Sequence, residues 1–143
     1  YCDGGPLESA AFAGNGDIVK CLLDSKAASS CQGLGKAVER ASLCLYMYSK
    51  PTTAFENVIR SLAEAKADLN VRGVGGKTAL MNASGFGFTK VVKMLIKLKA
   101  DIDLQCNFGL TAIQHSCVGY KGPKRKRESC IRALLKGDGD RKQ

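Results

Sequence analysis

Self-similarity at a spacing of 33 residues is the feature that most constrains how this chain can fold. The segment GKTALMNAS at 76–84 is echoed by GLTAIQHSC at 109–117. The segment ADLN at 67–70 returns as ADID at 100–103, at the same spacing. A fixed period between about 20 and 50 residues is typical of chains built from stacked copies of one small unit.

Each unit also contains an apolar segment with helical periodicity. VVKMLI at 91–96 is matched by IVKCLL at 18–23, VIRSLA at 58–63 and CIRALL at 130–135. Their apolar residues recur at the spacing of one helix face. A helix pair this short cannot bury its apolar face alone, so neighbouring pairs must stack on one another.

The repeated unit is therefore predicted to be a short helix, a turn, a second helix and an extended link. Gly14 and Gly87 each stand seven residues after the leading Leu, where a glycine closes the first helix. Nine additional residues fall in the second unit and six in the fourth, and GDGD at 137–140 takes the place of the last link. We predict one domain, 1–143, with repeats at about 3–32, 33–74, 75–107 and 108–143.

The third unit carries the pattern most completely, and it resembles the ankyrin repeat. The matching residues are Gly76, Thr78, Leu80, Ala83, Gly87, Val91, Val92, Leu95, Ala100 and Asp101. The resemblance implies an all-α ankyrin-repeat solenoid with hairpin-like finger loops, acting as a non-catalytic protein-interaction module without a cofactor. The glycine that the family has before Ala-Asp is replaced by Lys26, Lys66 and Lys99. If these lysines keep left-handed backbone geometry, each costs about 1 kcal/mol.

The glycine-rich stretch RGVGGKTAL at 72–80 raises the alternative of a phosphate-binding loop. Such a loop requires a glycine five residues before Gly76, and Val71 stands there instead. We predict that this stretch is a finger leading into a helix cap, with Gly75 and Gly76 giving the turn its backbone freedom. An enzyme that binds phosphate here is the weakest of the functional hypotheses.

The fingers are the predicted partner-binding surface. The resemblance implies that proteins dock on the fingers and on the concave face formed by the first helices. Apolar residues exposed on a rigid array mark contact with a protein partner. The candidate residues are Arg72, Val74, Lys77, Gln105, Asn107, Phe108 and Leu110.

The basic segment KGPKRKR at 121–127 is predicted to be an exposed loop, because Gly122 and Pro123 keep it out of a helix. Its cations are Lys121, Lys124, Arg125, Lys126 and Arg127. They form either a patch for an anionic partner such as nucleic acid, acidic protein or lipid headgroups, or a solvated loop. The alternative function is a structural subunit of a large multi-protein or ribonucleoprotein assembly, organellar ones included, with this loop contacting RNA or an acidic partner.

Composition limits the remaining classes. The net charge is +9, and residues 109–143 carry nine basic and three acidic side chains. Seven cysteines without a C-x-x-C pair predict a reducing compartment: the cytoplasm, the nucleus or an organelle interior. We expect no transmembrane segment and no metal site. His115 is expected to be a structural histidine, and the start at Tyr1 indicates a trimmed, processed or incomplete product.

Overall fold

The computed structural model describes residues 5–25, 31–48, 53–119 and 123–141. Regular secondary structure in these ranges is helical throughout, which confirms the predicted all-α class. The helices are α1 (Pro6–Phe12), α2 (Gly16–Asp24), α3 (Cys31–Tyr48), α4 (Thr53–Glu64), α5 (Ala79–Phe86), α6 (Thr89–Lys97), α7 (Ala112–Val118) and α8 (Lys124–Arg141). A single 3₁₀ turn covers Val74–Gly76.

Local capping chemistry explains where the short helices begin and end. The hydroxyl of Thr78 accepts a hydrogen bond from the Met81 N–H at 3.3 Å, which satisfies an orphan donor at the start of α5. Gly87 ends α5 with a left-handed φ of 77°, and Gly14 follows α1 with a φ of 71°. These positive φ values confirm both predicted glycine turns. Residues with a side chain rarely adopt this geometry, which explains why glycine stands at both positions.

The helices stack in two rows. In the inner row, α1 packs against α3, α3 against α5, and α5 against α7. In the outer row, α2 packs against α4 and α6 against α8, whereas α4 and α6 make no comparable contact. The outer row is therefore open between the second and third helix pairs.

Equivalent positions of successive repeats fill equivalent places in the core. Leu7 and Leu80 are each the second residue of an inner helix, Val38 lies further along the longer α3, and all three are buried. Ile113 is likewise the second residue of α7 and is half-buried against the core. The stacking of helix pairs, each too small to bury its own apolar face, thus holds the array together.

The substituted lysines keep the backbone geometry of the glycine they replace. Lys66 and Lys99 have φ values of 65° and 67°, so both lysines adopt the left-handed conformation, and the condition under which each costs about 1 kcal/mol is met. Lys26 lies outside the described residues.

The prediction that the basic segment is a loop was wrong. Lys124–Arg127 form the first turn of α8, and the carbonyl of Pro123 accepts the N–H groups of Lys126 and Arg127 at 3.0 and 3.2 Å. Proline breaks helix interiors but is well tolerated at the first positions of a helix, so Pro123 starts this one. Lys121 and Gly122 lie outside the described residues.

The interpretation of GDGD at 137–140 as a terminal link was also wrong, because α8 continues to Arg141. Gly137 lies against α6, where an added Cβ would come within 2.8 Å of the Ile96 side chain. The glycine permits the close approach of two outer helices rather than a chain reversal.

Candidate partner-binding surfaces

Two finger turns project from the ends of the repeats. The Gly73 N–H donates to the Lys77 carbonyl at 2.9 Å, and 33 residues later the Cys106 N–H donates to the Leu110 carbonyl at 3.0 Å. Gly75 and Gly76 have φ values of 69° and 71° within the first turn. The glycine-rich stretch therefore forms a finger followed by a capped helix, as predicted.

The two fingers are bonded to each other. The Asn107 N–H donates to the Gly75 carbonyl at 3.0 Å. The guanidinium of Arg72 donates from Nη1 to the Gln105 carbonyl at 2.6 Å. These links join equivalent segments of neighbouring repeats, so the fingers form one pre-organised edge.

Val74 and Phe108 are the apolar residues that stand out at the tips, with 70% and 79% of their surface exposed. Leu110 is instead half-buried against the core. Among the other predicted finger residues, Gln105 and Asn107 are exposed, Lys77 is half-buried, and Arg72 is exposed but engaged in the link between fingers. The structure thus brings the predicted residues to one edge, and the exposed apolar surface there lies on two of them.

His115 on α7 is 1% exposed and lies in the core. Burial, and then the positive charge of Lys77, lower the pKa of His115 below its ordinary value. The neutral imidazole is therefore the form that the fold favours at neutral pH. A buried position suits the structural role expected for this residue.

Comparison with models of protein families identifies the family of this chain. A model described as ankyrin repeats, in three copies, matches residues 45–143. The chain belongs to the ankyrin-repeat family. Ankyrin repeats generally serve as protein–protein interaction modules. A comparison with curated proteins gives no match. Within the described ranges, no helix of the array combines the length and the apolar character that crossing a bilayer requires.

The four basic residues in the first turn of α8, Lys124–Arg127, which we call the basic turn, have two different environments. Lys124, Arg125 and Lys126 are exposed. Arg127 instead donates from Nη1 to the carbonyls of Ser116 and Cys117, both at 3.2 Å. It thereby supplies a hydrogen-bond donor to carbonyls at the C-terminal end of α7, which lack a partner within the helix. Of the four patch cations among the described residues, three therefore face solvent, while Arg127 holds the last helix pair together.

A basic groove on the outer row of the ankyrin array was not anticipated from the sequence. It has a volume of about 1120 Å³ and is lined by α4, α6 and α8. Its charged residues are Arg60, Lys90, Lys93, Lys97, Lys99, Lys136, Glu56 and Asp140. The one local signal was the spacing of Lys90, Lys93 and Lys97, which places three charges on one side of α6. Lys99 directly follows α6, whereas Arg60 and Lys136 come from helices that are distant in sequence.

Proposed function

We propose that this ankyrin array is a non-catalytic protein-interaction module that docks a partner on the finger edge defined by Val74 and Phe108. The observation that carries the proposal is the 79% exposure of Phe108 at the tip of a hydrogen-bonded turn. Aromatic residues dominate the energetics of protein interfaces, because they bury a large apolar area at small entropic cost.

The rigidity of the edge supports the same function. The Gly109 N–H donates to the Cys106 carbonyl at 2.9 Å, which closes the turn that contains Phe108. The adjacent Asn107 is hydrogen-bonded to the preceding finger. A surface that is ordered before binding loses little conformational entropy on association. Burying a phenylalanine side chain contributes roughly 1.5–3 kcal/mol, which makes Phe108 the expected anchor.

The glycine-rich stretch does not favour catalysis. The N–H groups of Gly76 and Lys77 donate within the finger, to the carbonyls of Gly73 and Val74 at 3.0 and 3.4 Å. These amides are directed into the turn, whereas a phosphate-binding loop directs its amides at the ligand. A thermal shift on adding ATP or GTP would revive the enzyme hypothesis, since a ligand of the folded state raises its apparent stability.

A structural role in a larger assembly is the second candidate. The exposure of Lys124, Arg125 and Lys126 on one helical turn favours it, because clustered cations attract RNA and acidic proteins. The interaction-module function does not depend on these residues.

Site-specific photocrosslinking tests the finger edge. A photoreactive phenylalanine analogue is placed at Phe108 or, as a matched control, at Leu135, which is 57% exposed on α8 and outside the fingers. In RNase-treated extract of cells that express the chain, we expect a discrete protein adduct from position 108 and none from position 135. Phe108→Ser should remove that partner from a pull-down, whereas Leu135→Ser should not.

Equal adducts at both positions, or retention of the partner by Phe108→Ser, would contradict the finger edge as the docking surface. Circular dichroism of both variants is the folding control, because both replaced side chains are largely exposed.

A further inference from the structure

In the basic groove on the outer row, positively charged side chains outnumber negatively charged ones. Six cations and two carboxylates line it, a net charge of +4. Within the part of the chain that the structure describes, no carboxylate lies within salt-bridge distance of these cations. The charge is therefore available to an external anionic group.

The arrangement on α6 is unfavourable for the isolated array. Lys90, Lys93 and Lys97 are exposed and follow one another over about 10 Å of helix. Like charges four residues apart, as at Lys93 and Lys97, repel each other. Lys90 also stands in the first turn, where the helix dipole disfavours a positive charge. An acidic ligand would relieve both effects.

The other helices add cations at the borders. Arg60 on α4 and Lys93 on α6 occupy equivalent positions of the second and third repeats, and Lys136 comes from α8. The groove spans all three helices: α8 packs against α6, whereas α4 and α6 make no comparable contact.

The apolar part of the groove decides which class of anion it fits. Met94, Ile96 and Ala133 are half-buried and line the groove together with the lysines. Phosphate groups of nucleic acid gain nothing from such a surface. A polypeptide with acidic residues on one side and apolar residues on the other contacts both components.

We propose that this groove is a second docking site, separate from the finger edge, which binds an acidic amphipathic segment of a partner protein. The apolar side chains of that segment contact Met94, Ile96 and Ala133, and its carboxylates pair with the lysines of α6. Charge complementarity then gives the site its orientation and its association rate.

The direct test uses a fluorescent peptide of about 14 residues, four helical turns, with leucines on one face and glutamates on the other. Fluorescence anisotropy at physiological salt should show binding to the array. Lys93→Glu with Lys97→Glu should weaken it by at least about tenfold, because carboxylates would then face carboxylates. Lys124→Glu with Arg125→Glu changes the net charge equally outside the groove and should leave the affinity within about twofold of the parent.

Two further probes separate the occupants. A peptide of the same length with serines in place of the leucines, and single-stranded oligo-dT of similar length, should both bind more weakly. Equal binding of all three probes would overturn the proposal in favour of a non-selective polyanion surface. An equal loss in the Lys124 and Arg125 control would overturn it in favour of general attraction.

A second pair of variants covers the case in which the double reversal does not fold. Lys99→Gly removes one groove cation and relieves a left-handed lysine, while Lys66→Gly relieves the same geometry outside the groove. Only Lys99→Gly should weaken peptide binding, and equal affinities would contradict the site. Phe108→Ser should leave peptide binding unchanged, so the result is distinguishable from failure of the finger edge.

Discussion

The contact between the two fingers predicts unequal effects at two equivalent glycines. Gly76 and Gly109 are 33 residues apart and have nearly the same backbone conformation, with φ values of 71° and 74°. Alanine at either position adopts a left-handed conformation that costs about 1–2 kcal/mol. Part of this cost, about 0.4–1 kcal/mol, is offset because alanine reduces the entropy of the unfolded chain.

The surroundings of the two glycines differ. A Cβ at Gly76 would meet the Oδ1 of Asn107, and would lie 2.9 Å from its Cγ and 3.0 Å from its backbone nitrogen. A Cβ at Gly109 has no neighbour within 4 Å among the described residues. The side chain of Asn107 can rotate, but its backbone nitrogen is held by the bond to Gly75. Overpacking of this kind costs about 1–3 kcal/mol.

We therefore expect Gly109→Ala to lower the free energy of unfolding by about 1 kcal/mol, and Gly76→Ala to lower it by about 2–4 kcal/mol. Urea denaturation followed by circular dichroism is the suitable assay, because the chain has no tryptophan. The difference between the variants isolates the contact between fingers, since the backbone terms are shared. Equal losses, or a larger loss at Gly109, would show that the fingers are not in this register.

Three further predictions concern the core and the basic turn. Burial and the charge of Lys77 lower the pKa of His115 below its ordinary value of 6.5, so the free energy of unfolding should fall as the pH drops below about 6.5. In urea titrations at several pH values, His115→Gln should lose that dependence. The Asn82 amide donates to the buried Ser42 hydroxyl at 2.6 Å, so Ser42→Ala should cost about 1–3 kcal/mol, and an unchanged denaturation midpoint would contradict this. RNA binding by Lys124 and Arg125 would weaken steeply with salt and be lost on charge reversal; a salt-insensitive filter-binding affinity would remove that hypothesis.

Much of the local structure could be predicted because its causes are local. The spacing of Leu80 and Ile113 indicates a repeat, Thr78 caps α5, and Gly87 ends it with a positive φ. These features depend on residues within one turn or on a period that the sequence displays directly. Lys99 stands at the position where the family has a glycine, and it has the left-handed geometry that a glycine there would favour.

Other features depend on contacts that a linear pattern does not display. Pro123 was interpreted as a helix breaker, yet α8 begins directly after it, where proline is tolerated. The first turn of α8 is also held by tertiary contacts, because the Thr89 hydroxyl donates to the Lys126 carbonyl at 3.2 Å and Arg127 donates to the end of α7. Gly137 was interpreted as part of a link, yet it lies inside α8 against Ile96. For Gly137, packing between helix pairs outweighed the low helix propensity of glycine, whereas Pro123 stands at a position where proline is tolerated.

The amino-acid sequence by itself determined that this chain is a helical repeat array, which glycines close α1 and α5, and which tips carry Val74 and Phe108. Only the tertiary structure decided that Arg60, Lys93 and Lys136 share one groove. These three residues belong to different repeats, and their distance from one another is set by how far α4, α6 and α8 stand apart. Periodicity encodes the elements of a repeat protein, whereas the separation of its outer helices, and with it the electrostatic surface, results from packing along the whole stack.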